Sequence, residues 1–95
     1  MRGQFKNKRD GNEAALFKII KGYGIQVCPT DQPLDSICAF KGINYLVEIK
    51  NGPKAPLTKP QEEFIAEWRG QYVILCSEDE AHEWARSVVS AKPRI

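Results

Sequence analysis

Apolar and polar side chains alternate along Ile43-Asn44-Tyr45-Leu46-Val47-Glu48-Ile49-Lys50, which is the period of a half-buried β-strand. Tyr45, Val47 and Ile49 fall on one face, expected to be the core. Asn44, Leu46, Glu48 and Lys50 fall on the other. The preceding segment, Asp35 to Phe40 (DSICAF), is also rich in strand-forming residues, and only Lys41-Gly42 lies between the two. This spacing predicts a hairpin in which Phe40 faces Ile43, Cys38 faces Tyr45, Ser36 faces Val47 and Asp35 faces Glu48.

The remaining pattern supplies helices and two further strands. A helix capped by Asp10 or Asn12 and ending near Gly22 carries an apolar stripe of Ala15, Leu16, Ile19 and Ile20. Gly24 to Cys28 reads as the first strand, and Pro29 to Pro33 as a turn leading to Asp35. Thr58-Lys59-Pro60-Gln61 has capping-box spacing and opens a helix to about Arg69, with Phe64, Ile65 and Trp68 on its apolar side. Tyr72 to Cys76 is nearly all apolar, as for a strand buried on both faces. Ser77 to Glu80 reads as a second capping box, opening a last helix with Ala81, Trp84, Ala85 and Val88 inward and ending before Lys92-Pro93. The order helix, strand, strand, strand, helix, strand, helix predicts an α/β domain on one mixed sheet.

Composition narrows the class. Ninety-five residues with 42% hydrophobic and 27% charged content fit one globular domain. Residues 1–11 read as a basic N-terminal arm, of the kind that is poorly ordered at domain ends, and residues 12–95 as the domain itself. The longest strongly apolar run is too short to span a bilayer, and no signal peptide precedes it. Cys28, Cys38 and Cys76 are odd in number and lack a Cys-x-x-Cys pair, so buried reduced thiols and a cytoplasmic location are expected. His82-Glu83 starts like a zinc-protease helix motif, but Arg86 occupies the place of the second histidine, which removes that chemistry.

Charge is distributed unevenly. Residues 1–60 hold ten Lys/Arg against five Asp/Glu, whereas residues 61–95 hold four against seven. In the basic portion, Arg2, Lys6, Lys8 and Arg9 form the arm, and Lys54 and Lys59 flank a Pro-rich loop after the alternating strand. Such residues neutralise phosphates and give salt-dependent, sequence-independent nucleic-acid affinity; as surface residues they equally form a solvated tail and loop.

The hairpin register gives the candidate chemistry. Directly opposed Asp35 and Glu48 would have Cβ atoms roughly 5 Å apart, where like charges repel. A hard divalent cation such as Mg²⁺, held by one or two carboxylates and a substrate phosphate, relieves that repulsion. Lys50, on the same face as Glu48, can then reach the phosphate or the attacking water. Glu-x-Lys alone carries little weight, since about one chain in three of this length contains it by chance. Asp35 also suits a strand start, and Lys50 a surface salt bridge. Glu13, one turn before Leu16 and Phe17, suits either a site-facing acid or a helix N-terminal dipole partner. Gln61, on the apolar side of its helix, suits either the site or the capping box.

In combination these segments resemble the PD-(D/E)XK nuclease superfamily, in particular its VRR-Nuc type and small Holliday-junction resolvase-like members. Pro33-Leu34-Asp35, Glu48-Ile49-Lys50 and Leu57-Thr58-Lys59-Pro60-Gln61 match its acidic, Glu-x-Lys and glutamine motifs, and Glu13 its helix-one acid, over residues from about 12 to 90. Leu34 departs from the motif by separating Pro33 from Asp35. The resemblance implies a restriction-endonuclease-like αβββαβα core and Mg²⁺- or Mn²⁺-dependent hydrolysis of DNA. It implies a metal held by Asp35, Glu48 and the Ile49 carbonyl, with Glu13 contributing directly or through water. Lys50 would orient the nucleophile, Gln61 would align Lys50, the water or a phosphate oxygen, and Lys6, Lys8, Arg9, Lys54 and Lys59 would meet the DNA backbone. Symmetric cutting of two strands would need a homodimer, acting on branched or duplex DNA. The alternative is a non-catalytic nucleic-acid-binding or protein-interaction domain on the same scaffold. An RNA target ranks last, for want of a base-stacking module.

Overall fold

The computed structural model describes residues 11–52 and 54–91. They form three helices and a four-stranded sheet in the order α1 (Glu13–Gly22), β1 (Gln26–Pro29), β2 (Ser36–Phe40), β3 (Ile43–Ile49), α2 (Lys59–Glu67), β4 (Tyr72–Leu75) and α3 (Glu78–Ser90). The element order read from the sequence is therefore observed. Boundaries differ slightly: β1 starts at Gln26 and includes Pro29, and α2 stops at Glu67 because Trp68 adopts extended backbone.

The sheet is mixed. β1, β2 and β3 pair antiparallel and β4 joins β3 in parallel, so that β1 and β4 are its edges. The β2–β3 register pairs Phe40 with Ile43, Cys38 with Tyr45 and Ser36 with Val47, as the two-residue loop requires. Lys41 and Gly42 both have positive φ, 52° and 83°, the backbone hand that matches the strands' twist in so tight a turn.

One sheet face is covered by two helices. Leu16, Phe17 and Ile20 of α1 and Ala81, Ala85 and Val88 of α3 pack on Cys38, Val47, Ile49 and Leu75. The two alanines let the α3 backbone approach closely, while Trp84 of α3 meets Tyr45 edge-on at 5.5 Å between ring centroids. Ala15, assigned to the apolar stripe of α1, is exposed instead, and Phe17 takes its place.

The opposite face is only partly covered. Leu46 and Glu48 are buried there, whereas Ile37 stays exposed. α2 has no buried residue and reaches the sheet chiefly through Gln61. β4 consequently departs from the expectation of a strand buried on both faces: Tyr72 is exposed and only Leu75 is fully buried, because Tyr72 and Ile74 pair with Leu46 and Glu48 on the partly covered face, at the sheet edge. The thiol expectation also needs correction. All three cysteines are free, but only Cys38 is buried; Cys28 is exposed on the edge strand β1. Among the described residues no helix is long and apolar enough to cross a membrane.

Candidate functional site

The site lies at the carboxyl end of β3, where the chain leaves the sheet toward α2. Asp35 stands just before β2, one register step beyond the Ser36–Val47 pair and so opposite Glu48. Two bonds close the turn that delivers it: Thr30 N–H donates to the Asp35 carbonyl at 2.8 Å, and Thr30 Oγ1 donates to the Leu34 carbonyl at 2.5 Å. Burial of Leu34 anchors the same segment. The Asp35 carboxylate then accepts the Ile49 N–H at 2.7 Å through Oδ2, which ties it to the strand carrying Glu48 and Lys50.

Glu48 is 2% exposed and is the most deeply buried charged residue described. Its two oxygens are treated differently. Oε2 accepts from Gln61 Nε2 at 2.7 Å and lies 3.4 Å from Lys50 Nζ. Oε1 is buried and has no hydrogen-bond partner among the described residues. Burial is the main force pushing the Glu48 carboxyl up to about 7, the Asp35 charge adds to it, and Lys50 and Gln61 oppose it. A carboxylate in this position is ionised at neutral pH only at a cost.

Gln61 resolves the two readings of its position by satisfying both. Thr58 Oγ1 accepts the Gln61 N–H at 3.3 Å and Gln61 Oε1 accepts the Thr58 N–H at 2.9 Å, a complete capping box. The same Oε1 accepts from Lys50 Nζ at 3.0 Å, while Nε2 holds Glu48. The helix cap thus fixes the rotamer that reaches the site. At α3 the expected box is incomplete: Ser77 accepts from Glu80 N–H, but the Glu80 carboxylate takes the Cys76 N–H at 2.7 Å in place of the Ser77 N–H.

Glu13 occupies the first turn of α1 and is half-buried. Among the described residues no group of three His, Cys, Asp or Glu side chains is placed to hold a metal. The Glu13 helix is nevertheless tied to the site, because the adjacent Asn12 donates through Nδ2 to the Lys50 carbonyl at 3.1 Å and to the Cys76 carbonyl at 3.2 Å. The sequence marks Asn12 only as a helix cap; an asparagine can bridge carbonyls, but nothing in its local sequence distinguishes that use.

The basic residues fall into two groups. Lys54 and Lys59 are exposed, on the loop after β3 and at the start of α2. Arg2, Lys6, Lys8 and Arg9 lie outside the described residues. His82, excluded from zinc chemistry above, is engaged elsewhere: its Nδ1 lies 2.7 Å from Tyr23 Oη, joining α3 to the end of α1. Comparison of the chain with protein-family models, with curated proteins and with solved structures found no match.

Proposed function

We propose that this chain is a divalent-cation-dependent endonuclease that hydrolyses DNA phosphodiester bonds on a restriction-endonuclease-like core. The observation carrying this reading is Glu48, a buried carboxylate beside Asp35 with Oε1 lacking a hydrogen-bond partner among the described residues. Burying Glu48 beside the half-buried acid Asp35 disfavours its charged form unless positive charge accompanies the pair. Lys50 supplies part of that charge to Oε2.

The donor set fits Mg²⁺ or Mn²⁺, which are oxygen-seeking and need only one or two carboxylates when water and phosphate complete the shell. Asp35, Glu48 and the Ile49 carbonyl would hold the ion, with Glu13 contributing directly or through water. When bound, the ion supplies Lewis acidity to water and to the scissile phosphate. Lys50 places positive charge where negative charge develops in the transition state. Gln61 accepts from the Lys50 ammonium and donates to Glu48, so one side chain orients both charged groups. Exposed Lys54 and Lys59, with Lys6, Lys8 and Arg9 of the N-terminal arm, would engage the DNA backbone. A homodimer acting on branched or duplex DNA would bring two such sites to the two strands.

The test is incubation with linear, nicked, flap and four-way DNA in Mg²⁺ or Mn²⁺, against a chelator control and the Glu48→Gln and Lys50→Ala variants. Cation-dependent cutting that both variants lose is the expected result. Salt-sensitive binding without cutting at any cation concentration would instead support the non-catalytic binding domain.

A further inference from the structure

Asn12 stands at the N-cap of α1, a position where asparagine commonly bonds the free N–H groups of its own helix. Its side chain makes no such bond. Both hydrogens of its NH₂ group go instead to the carbonyls of Lys50, at 3.1 Å, and Cys76, at 3.2 Å. These two residues occupy equivalent places. The parallel β3–β4 ladder ends at the Ile49–Leu75 pair, and Lys50 and Cys76 are the next residue on each strand, where the chains diverge toward the loop before α2 and toward α3. Lys50 N–H still reaches the Leu75 carbonyl at 2.9 Å, so the Asn12 amide is the next bridge after the last ladder bond. Meanwhile the Asn12 carbonyl accepts the Leu16 N–H at 3.1 Å, rooting the residue in α1.

The amide orientation is dictated by these partners. Turning it over would set Oδ1 against two carbonyl oxygens. As placed, Oδ1 is buried with no hydrogen-bond partner among the described residues, a cost that the fold accepts to keep both donors on the strand ends.

We propose that Asn12 is a positioning residue: it clamps the diverging ends of β3 and β4 to the start of α1, and so fixes the Lys50 backbone and Glu13 relative to Glu48. This rests on the cleavage reading above for its functional consequence. Lys50 Nζ is held at 3.0 Å from Gln61 and 3.4 Å from Glu48, a geometry that depends on where the Lys50 backbone sits once the ladder no longer restrains it. Misplacement of such a group by about 1 Å is enough to cost up to about a hundredfold in rate.

Two variants separate this role from helix capping. Asn12→Asp keeps the size and the N-cap preference but offers at most one O–H donor, so it cannot bond both carbonyls; Asn12→Ser keeps the cap preference and is too short to span them. Both should retain the fold, lower kcat for cation-dependent cleavage at least tenfold with KM for DNA unchanged, and accelerate amide hydrogen exchange at Lys50 relative to mid-ladder amides of β3. Unchanged exchange at Lys50 in both variants overturns the clamp, whatever the rates. Wild-type kcat in both overturns its functional consequence. Accelerated exchange in variants of a wild type that cuts no DNA keeps the clamp and removes the cleavage reading instead.

Discussion

Gln61 Nε2 donates to Glu48 Oε2 at 2.7 Å, joining the first turn of α2 to a side chain in the interior of the sheet. The bond is possible because the capping box has already turned the Gln61 side chain back along its helix. One residue therefore sets both where α2 begins and how Glu48 and Lys50 face each other.

Replacing Gln61 separates these effects. Gln61→Ala removes the reciprocal half of the cap and both site contacts, and should lower stability by about 1 kcal/mol and slow cleavage at least tenfold. Gln61→Glu retains a capping-box acceptor but places a carboxylate against Glu48, so cleavage should fall as far while α2 keeps its cap. Thermal melts with steady-state rates check both outcomes; an active Gln61→Glu enzyme would contradict the role assigned to Nε2.

The elevated Glu48 carboxyl predicts a pH-dependent stability. Its folded value of about 7 lies above the 4.5 of an ordinary glutamate, so between these limits the folded state binds more proton than the unfolded one. The associated stability is present below pH 4.5, declines as pH rises through 7 and then levels off. In chelator, denaturant melts should show this decline, and Glu48→Gln should gain stability relative to wild type across the same window. Carboxyl-carbon NMR should place the Glu48 titration near 7 without cation, and Mg²⁺ should move it down.

Gly70 tests the turn between α2 and β4. A Cβ at this position would lie 2.6 Å from Trp68 Cζ2 and 2.8 Å from Cε2, closer than packed atoms tolerate. Trp68 is stacked on Phe64 at 5.1 Å between centroids, and its indole N–H donates to the Gln71 carbonyl at 3.2 Å. Gly70→Ala should displace the indole and cost about 1–3 kcal/mol, read by chemical denaturation and by a shift in tryptophan emission.

The α1–α3 contact predicts a smaller effect. Tyr23 Oη lies 2.7 Å from His82 Nδ1 and accepts from Arg86 Nη1 at 3.4 Å, on the far side of the core from Glu48. Tyr23→Phe should cost about 1 kcal/mol in a thermal melt and leave cleavage rates unchanged.

Local pattern determined much of this protein. Period-two alternation and a two-residue loop were enough to specify the β2–β3 register, because a slip by one residue would turn Val47 and Ile49 out of the core and Glu48 into it. The same register carries Asp35 one step beyond the Ser36–Val47 pair, opposite Glu48. Capping signals likewise located the start of α2. Other features depend on contacts between distant segments, to which local periodicity is blind. That β4 is an edge strand, with Tyr72 exposed, follows from sheet order and not from its apolar composition. That Gln61 touches both Glu48 and Lys50 required the crossover to place α2 over the end of β3. That Asn12 bonds Lys50 and Cys76 required residues 38 and 64 positions apart to meet at one strand fork. Which side chains share a strand face is legible from residue order alone, since backbone geometry imposes that alternation locally. Which polar atoms those side chains meet, and which oxygen of Glu48 has no hydrogen-bond partner among the described residues, depends on how distant segments pack together.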